Sequence, residues 1–510
     1  MPISSRVLHT GAVPISALLG AIRSAAPNAT ALRDGCRSIG YGTLAGLLED
    51  EIDWLGQDGG ERHAVLADNG VGWAIADLAL HVGGFLSVPV PEAFTPAQVS
   101  HALDDAGIDS VLTDDLARAR HWLPGWHDAG IAPASRLHRL RRRLDPSNRL
   151  PVPLGTAKVT YTSGSTAAPR GVCLAAAGLE ATAAALAHAT DDLRIERHLC
   201  LLPLATLLEN VAGLYAPLLR GAACIVPSCR TTGMSYAGLD STRLLQAITG
   251  HAPNSLILVP ALLQALVAAA EAGWPVPPSL RFVAVGGAKV STDVLARAEQ
   301  VGLPVFEGYG LSECASVVCL NTSTARRPGT VGRPLPHLGV RIDASGEVCI
   351  TGTSTLLGYL GDVPRTPGTQ VATGDLGELD ADGYLHLQGR AGNRFITSYG
   401  RNVSPEWIEA ELSQRLDGRP VLAYGEAQPH VVVLVDARPT DVDDAAIERA
   451  VDTTNAVLPD YARVRRWARV PRPFSYADGT MTANGRLRRA VLHERHSSLL
   501  ASLYEQALAS

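Results

Sequence analysis

The feature that most constrains the fold is an alternation of short apolar runs with longer helical segments through the first three quarters of the chain. HAVLAD precedes VGWAIADLALHVGGFL, and SLILVP precedes ALLQALVAAAEAG, which RFVAVGG follows. Such an alternation is typical of α/β layers whose sheets are largely parallel. We therefore expect an α/β fold with a large N-terminal body of stacked, mostly parallel sheets and helices.

The character of the sequence changes after Arg390. AGNRFITSYGRNVSPEWIEAEL contains a glycine-bearing turn, and its SPE tripeptide opens a helix with proline in the first turn. VLAYGE and HVVVLVDA are predicted strands, and DAAIERAVDTTNAVL is a predicted helix. Because 510 residues are too many for one ordinary core, we expect a large domain of residues 1–391 and a small, mobile α+β domain of residues 392–510.

Composition limits the partners. With 46% hydrophobic residues, 18% charged residues and a net charge of -6, the chain has no general attraction to nucleic acid or anionic membranes. No apolar run reaches the length of a membrane span, and the first residues lack the pattern of a secretion signal. The eight cysteines are scattered without a CxxC pair, as expected for free thiols. We expect a cytoplasmic protein without a nucleic-acid partner or an integral membrane segment.

One dense basic run, RLHRLRRRLD, extends from Arg136 to Asp145. It is either a solvated face of a helix or linker, or a surface that docks an acidic carrier protein or the phosphates of CoA. The arginine and proline residues that continue to GTA predict a connector between two subdomains of the large body.

A hydroxyl-rich loop follows the predicted strand AKVTY. It consists of Thr162, Ser163, Gly164, Ser165 and Thr166, and Arg170 comes shortly afterwards. Backbone N–H groups, hydroxyls and a guanidinium together suit a polyphosphate, although a loop of this composition is more often a flexible surface loop. No GxxxxGK[ST] pattern is present, which excludes a P-loop NTPase.

This loop resembles the YTSGTTGxPKG signature of the acyl-adenylating superfamily, which comprises acyl-CoA synthetases, adenylation domains of peptide synthetases and luciferases. Four further segments are similar to motifs of that family and follow in the same order along nearly the whole chain. They are GGAKV, FEGYGLSECAS, TGDLG and MTANGRLRR. The segment ENVAGLYAPLLRGA is closest in texture to long-chain fatty acyl-CoA synthetases.

The resemblance implies a nucleotide site. Tyr309 would stack on adenine, and Asp375 with Arg390 would hold the ribose hydroxyls. Ser312 would donate to the α-phosphate. The implied ATP-binding residues are Thr162, Ser163, Gly164, Ser165, Thr166, Gly286, Gly287, Ala288, Tyr309, Gly310, Asp375 and Arg390.

The resemblance also implies catalytic, metal and acceptor groups. Glu313 would hold Mg²⁺, with Thr162 as a second ligand. The implied catalytic residues are Ser312, Glu313, Arg170 and Arg486. The resemblance also implies a hinge of the small domain at Asn393. The residues implied on the acyl and acceptor side are Thr206, Leu207, Val259, Gly308 and Gly400.

The chain departs from the family pattern at several of these positions. Arg486 and Arg170 replace lysines, Ala167 replaces a glycine, and Thr206 stands where a ring is usual. Arginine keeps the charge of lysine but presents a planar fork. A displacement of about an ångström at Arg486 could slow the reaction on the order of a hundredfold.

The leading hypothesis is a two-step, AMP-forming ligase. ATP would activate a small, apolar carboxylic acid, with fatty acids the first candidates, and a thiol of CoA or of carrier-protein phosphopantetheine would then displace AMP. The alternatives are transfer to an amine and a degenerate member that binds nucleotide with little turnover. A serine hydrolase is disfavoured because no GxSxG elbow is present.

Overall fold

The computed structural model describes residues 16–57, 62–144, 149–162, 170–235, 238–366, 368–398, 402–437, 440–482 and 485–505. Five residues predicted for the site lie outside this part of the chain: Ser163, Gly164, Ser165, Thr166 and Gly400. The backbone of Thr162 is described but its side chain is not.

The strands are numbered in chain order. They are β1 Thr30–Arg33, β2 Ser38–Gly40, β3 Arg62–Leu66, β4 Leu86–Pro89, β5 Ser110–Thr113, β6 His127–Ile131, β7 His138–Arg141, β8 Thr156–Thr162, β9 Arg170–Ala175, β10 Arg197–Leu199, β11 Ala223–Ile225, β12 Met234–Ser235, β13 Gly238–Leu239, β14 Ser255–Leu258, β15 Phe282–Val285, β16 Val305–Leu311, β17 Ser316–Leu320, β18 Arg333–Pro334, β19 Leu338–Ile342, β20 Glu347–Gly352, β21 Gly358–Tyr359, β22 Val371–Leu379, β23 Leu385–Arg390, β24 Phe395–Ile396, β25 Asn402–Val403, β26 Val421–Tyr424, β27 Val431–Val435 and β28 Val464–Arg469.

The α-helices follow the same convention, and one π-helix, Glu209–Tyr215, precedes α7. They are α1 Ala17–Ser24, α2 Tyr41–Gly56, α3 Val71–Val82, α4 Pro96–Asp105, α5 Leu116–Trp122, α6 Ala176–Ala189, α7 Ala216–Leu219, α8 Ser241–His251, α9 Pro260–Glu271, α10 Thr292–Gln300, α11 Pro405–Arg415, α12 Asp444–Val457, α13 Arg489–Arg495 and α14 Ser497–Glu505.

The predicted α/β architecture is confirmed. The first sheet has the strand order β18-β17-β16-β15-β14-β10-β11-β1-β2, and its central strands from β16 to β1 are parallel. Because the carboxyl ends of parallel strands meet at one edge of a sheet, the turns after β14, β15 and β16 lie together. Apolar residues cover both faces of this sheet, as expected for parallel strands buried between helices.

The second sheet has the order β21-β9-β8-β4-β3-β5-β7-β6. Its centre is parallel, whereas its outer strands pair antiparallel. Strands β8 and β9 flank the predicted phosphate loop, as the strand prediction for AKVTY required. A third, antiparallel sheet of β19, β20, β22 and β23 carries the TGDLG segment.

The C-terminal elements build a smaller sheet, β26-β27-β28, with α11 and α12 on one face. Pro405 lies at the start of α11, where its fixed φ suits the first helical turn. The predicted strands VLAYGE and HVVVLVDA and the predicted helix from Asp444 are all present. Among the described residues, no helix combines the length and apolarity that crossing a bilayer requires.

The described part of the basic run, residues 136–144, contains a strand and no helix. His138–Arg141 is an inner strand of the second sheet, paired with both β5 and β6. Arg139 is 1% exposed, donates to Ser110 Oγ at 3.0 Å and lies 5.1 Å from the Trp54 ring centroid. Pairing with the neighbouring strands therefore determined the conformation of this segment. The charge of Arg139 is satisfied by contacts inside the protein.

Candidate functional site

A cavity of about 2260 Å³ lies at the carboxyl edge of the first sheet and extends between that sheet and the helices beside it. Residues from the first three sheets and from the C-terminal segment line it. The predicted site residues on its wall are Arg170, Thr206, Leu207, Val259, Gly286, Gly287, Ala288, Gly308, Tyr309, Gly310, Ser312, Glu313, Asp375, Arg390 and Arg486. The fold therefore brings together residues that are more than 300 positions apart in sequence.

Asp375 is the centre of a polar group at one side of the cavity. It is 8% exposed and accepts from Tyr309 Oη at 2.6 Å. Arg390 Nε lies 2.9 Å from its other oxygen, because the two residues face each other across the antiparallel strands β22 and β23. Burial and the neighbouring Asp375 raise the pKa of Tyr309, which keeps the phenol neutral.

The turn after β15 forms the floor beside this group. Gly287 has a φ of +85°, a conformation that glycine adopts without strain. Its carbonyl oxygen accepts from Arg486 Nε at 3.1 Å and from a terminal guanidinium nitrogen of the same residue at 2.5 Å. A residue from the C-terminal segment thus reaches the turn after β15. Desolvation and the nearby Arg390 lower the pKa of Arg486, so two guanidiniums converge on this end of the cavity.

Strand β16 and the turn after it supply the next part of the wall. Gly310 has no room for a side chain, because a Cβ there would lie 1.6 Å from the Ser316 carbonyl oxygen. Ser312 and Glu313 follow in a short 3₁₀ turn at the cavity wall. Glu313 Oε1 accepts from Tyr359 Oη at 3.0 Å, and burial together with Glu313 raises the pKa of Tyr359 to about 12.

Arg170 stacks on the ring of Tyr359. Its guanidinium carbon is 3.8 Å from the Tyr359 ring centroid, and a terminal nitrogen donates to Asp362 at 2.7 Å. The planar fork, unlike an ammonium, can stack on the ring and still donate hydrogen bonds. Tyr359 therefore connects Arg170 with Glu313. No sequence motif pointed to this tyrosine, because it lies on a short edge strand, β21, far along the chain from both residues.

The residues predicted for the acyl side contribute different groups to the cavity wall. Leu207 and Val259 present apolar surface, whereas the Thr206 hydroxyl donates at 2.6 Å to the carbonyl oxygen of Pro203. Gly308 lies in β16, directly before Tyr309. Thr206 therefore closes its own turn, and its hydroxyl is already engaged within the loop.

Two glutamates near the site were not anticipated from the sequence. Glu409 of α11 forms an ion pair with Arg489 and accepts from the Ala423 backbone N–H at 2.8 Å. Glu307, directly before Gly308, is 8% exposed at the cavity wall, and burial raises its pKa to about 7. A lone glutamate in an apolar strand gives no sequence signal for such a shift.

The model of the AMP-binding enzyme family matches residues 23–360, and the chain belongs to that family. The chain is 25% identical to the long-chain-fatty-acid–CoA ligase FadD15 of Mycobacterium bovis, over 89% of each chain.

Solved structures share the fold. The anthranilate CoA ligase AuaEII in complex with anthranoyl-AMP matches with a TM-score of 0.76 and 18% identity, over 94% of this chain and 96% of that one. The O-succinylbenzoate coenzyme A synthetase MenE of Bacillus subtilis, in complex with ATP and magnesium ion, matches with a TM-score of 0.72 and 20% identity, over 93% of this chain and 98% of that one.

Proposed function

We infer that the chain is an AMP-forming acid ligase that uses ATP to convert a carboxylic acid into an acyl adenylate and then transfers the acyl group to a thiol of CoA. The observation that carries this proposal is the meeting of the Gly287 turn, the Tyr309–Asp375–Arg390 group and Glu313 at one cavity. Family membership and the FadD15 relative point to the same reaction.

The residues fit a bound nucleotide. Small residues at the turn after β15 leave room against the backbone, and Asp375 offers carboxylate oxygens to ribose hydroxyls. Arg390 and Arg486 bring positive charge to the place where phosphate charge has to be balanced. Glu313 offers a carboxylate of the kind that Mg²⁺ prefers, and Mg²⁺ bound there would neutralise the charge of the departing pyrophosphate. The proposed partner ligand, Thr162, ends the strand that leads into the hydroxyl-rich loop.

In the first half-reaction, a carboxylate oxygen of the acid attacks the α-phosphorus of ATP, a P–O bond forms, and pyrophosphate leaves. The acid and the α-phosphate are both anionic, so a guanidinium between them lowers the cost of their approach. Arg486 is proposed for this role and Ser312 as a hydroxyl donor to the α-phosphate. We propose that Arg170, with Ser163, Gly164, Ser165 and Thr166, holds the outer phosphates.

In the second half-reaction, the thiol sulfur attacks the acyl carbon and AMP leaves. We propose that residues 392–510 rotate about Asn393 between the two steps, with Gly400 facing the acceptor. The separate apolar clusters of the C-terminal elements support a unit that moves as a body. CoA is the proposed acceptor. A carrier-protein phosphopantetheine would present the same thiol. The protein is proposed to work in the cytoplasm, which suits eight free cysteines.

Acid-dependent exchange of pyrophosphate into ATP tests the first half-reaction. A panel of fatty and aryl acids should support exchange, and Asp375→Asn should weaken it on the order of a hundredfold, because a charged acceptor for buried hydroxyls is lost. Asp382→Asn is the matched control: Asp382 is exposed and pairs with Arg327. Nucleotide binding without exchange for any acid would favour the degenerate alternative instead. Mass spectrometry of the product with CoA or an amine present then identifies the acceptor.

A further inference from the structure

We call the part of the cavity wall formed by the Gly287 turn, Tyr309, Asp375 and Arg390 the nucleotide edge, after the proposed function. The cavity extends past this edge and runs between the first sheet and the helices beside it. Its deeper wall is mainly apolar and includes Leu186 of α6, Ala212 of the π-helix, and Phe282 and Ala284 of β15. Small residues such as Ala212 and Ala284 leave the space open. This part of the cavity is where the acyl portion of the proposed substrate would lie, which agrees with the apolar acid expected from the sequence.

Two buried polar side chains interrupt this apolar wall. His198 of β10 is 2% exposed, Ser255 of β14 is 4% exposed, and both line the cavity. The two residues are register partners in neighbouring parallel strands, and Ser255 is in turn the partner of Phe282. His198 Nδ1 lies 2.8 Å from Ser255 Oγ.

A buried carboxylate orients the imidazole of His198. Glu209, 0% exposed on the π-helix, lies 2.9 Å from His198 Nε2, and its other oxygen accepts from the Leu202 N–H at 3.0 Å. Because a carboxylate only accepts, His198 carries a proton on Nε2 and donates it to Glu209. The other ring nitrogen, Nδ1, is thereby held against Ser255 Oγ.

Ser255 Oγ keeps acceptor capacity whichever of the two residues donates in this hydrogen bond, because at most one of its lone pairs is used. Among the described residues, His198 is the hydrogen-bond partner of Ser255 Oγ. A hydroxyl oxygen has two lone pairs, and buried polar atoms usually satisfy their capacity. The chain makes room for the arrangement at Gly213, where a Cβ would lie 2.0 Å from Glu209 Oε1 and 2.8 Å from His198 Nε2.

We propose that Ser255, oriented by His198 and Glu209, accepts a hydrogen bond from a hydroxyl group on the acid, so that the preferred substrate is a hydroxylated acid. This inference rests on the proposed function and narrows its substrate class. Ser255 begins β14, three residues before Leu258 at the nucleotide edge. At about 3.3 Å per residue, the hydroxyl would lie roughly 10 Å deeper than that edge.

Paired acids test the proposal on the full-length protein. Each pair consists of a hydroxylated acid and its unsubstituted equivalent: ω-hydroxy fatty acids of increasing length against plain fatty acids, and para-hydroxycinnamate against cinnamate. At one length or in the aryl pair, the kcat/KM for pyrophosphate exchange should favour the hydroxylated acid about tenfold, the value of one hydrogen bond. Keto acids of the same length should lose that advantage, because they cannot donate.

Ser255→Ala should reduce the preference about tenfold while leaving exchange with the plain acid in place. Ser87→Ala is the matched control, because Ser87 is 1% exposed on a strand of the second sheet, away from the cavity wall, and should keep the preference. Equal rates within every pair, or a preference that survives Ser255→Ala, would overturn the proposal.

Acid binding measured by calorimetry separates this proposal from the proposed function. If no acid supports exchange, the ligase reaction is wrong, but a hydroxyl preference in binding that Ser255→Ala removes would still support the role of Ser255. Equal binding within the pairs would overturn it.

Discussion

The nucleotide edge and the deeper acyl part of the same cavity are built in opposite ways. At the edge, Asp375, Tyr309 and the Gly287 turn come from short sequence motifs, each at the end of a strand or across a hairpin. In the deeper part, His198, Glu209 and Ser255 come from three elements that share no motif. Under the proposed function, the nucleotide is the same for every substrate and is met by local turns, whereas the wall that faces the acid depends on how distant elements pack.

The two parts also differ in how charged groups are buried. At the edge, Arg390 is about half exposed and pairs with Asp375. A fully buried network connects α3 and β8 with the π-helix, and it consists of Lys158, Asp77, Asn210 and Tyr215. Lys158 Nζ lies 2.7 Å from Asp77 Oδ1. The charge at the edge is therefore in contact with solvent, whereas the charge in the interior is enclosed by protein groups that satisfy it.

The largest expected effect is on this buried network. Lys158→Met should lower the free energy of unfolding by about 3–5 kcal/mol, because the Asp77 carboxylate would be left buried without its partner. Denaturant unfolding measures the loss. In the fraction that remains folded, the KM for the acid should rise more than the KM for ATP, because the network holds the π-helix. Lys158→Met combined with Asp77→Leu should recover much of the stability, and an equal loss in the double variant would contradict the argument.

The second prediction concerns Glu307, at the cavity wall, and the dependence of the protein's stability on pH. The pKa of Glu307 is raised from 4.5 to about 7 by burial. Below pH 4.5 the residue is protonated in both states. Between the two values the unfolded chain loses the proton and the folded chain keeps it, so stability falls as the pH rises, by about 3 kcal/mol once the pH exceeds 7.

Glu307→Gln should therefore stabilise the protein at pH 8 relative to wild type and have little effect at pH 4, because glutamine does not titrate and can still accept from the Gly329 N–H. Urea unfolding at the two pH values measures the difference. Glu299→Gln, at an exposed position on α10, should show no such pH dependence. A gain that is the same at both pH values would show that charge burial is not the cause.

The smallest of the three effects concerns Arg486, which reaches the nucleotide edge from the C-terminal segment. Arg486→Ala should slow pyrophosphate exchange on the order of a hundredfold, equivalent to about 2.7 kcal/mol, because positive charge between two anions is lost. Arg486→Lys should retain most of the activity. Arg472→Ala, at an exposed arginine of the same segment, is the control. The preference among acids should not change, and a changed preference would mean that Arg486 also contacts the acyl part.

Much of the nucleotide edge could be predicted from the sequence. The TGDLG and FEGYGLSECAS motifs placed Asp375, Tyr309 and Glu313 at one site, and the described structure brings these side chains to one cavity. The roles assigned to them remain predictions. Tyr359 and Glu307 were missed because their importance comes from burial and from neighbours on other strands, neither of which leaves a local pattern.

The α/β class could be predicted from the sequence because the periodicity of apolar residues encodes helices and strands locally. The ordered series of motifs pointed to the family and to the strand ends and small residues at the edge of the cavity. Strand pairing in the folded protein, however, made His138–Arg141 an inner strand with Arg139 buried. Tertiary structure also decided that His198, Glu209 and Ser255 meet in the cavity wall. The physical reason is that strand pairing and buried hydrogen bonds join residues distant in sequence, and their energies depend on neighbours that no local pattern names.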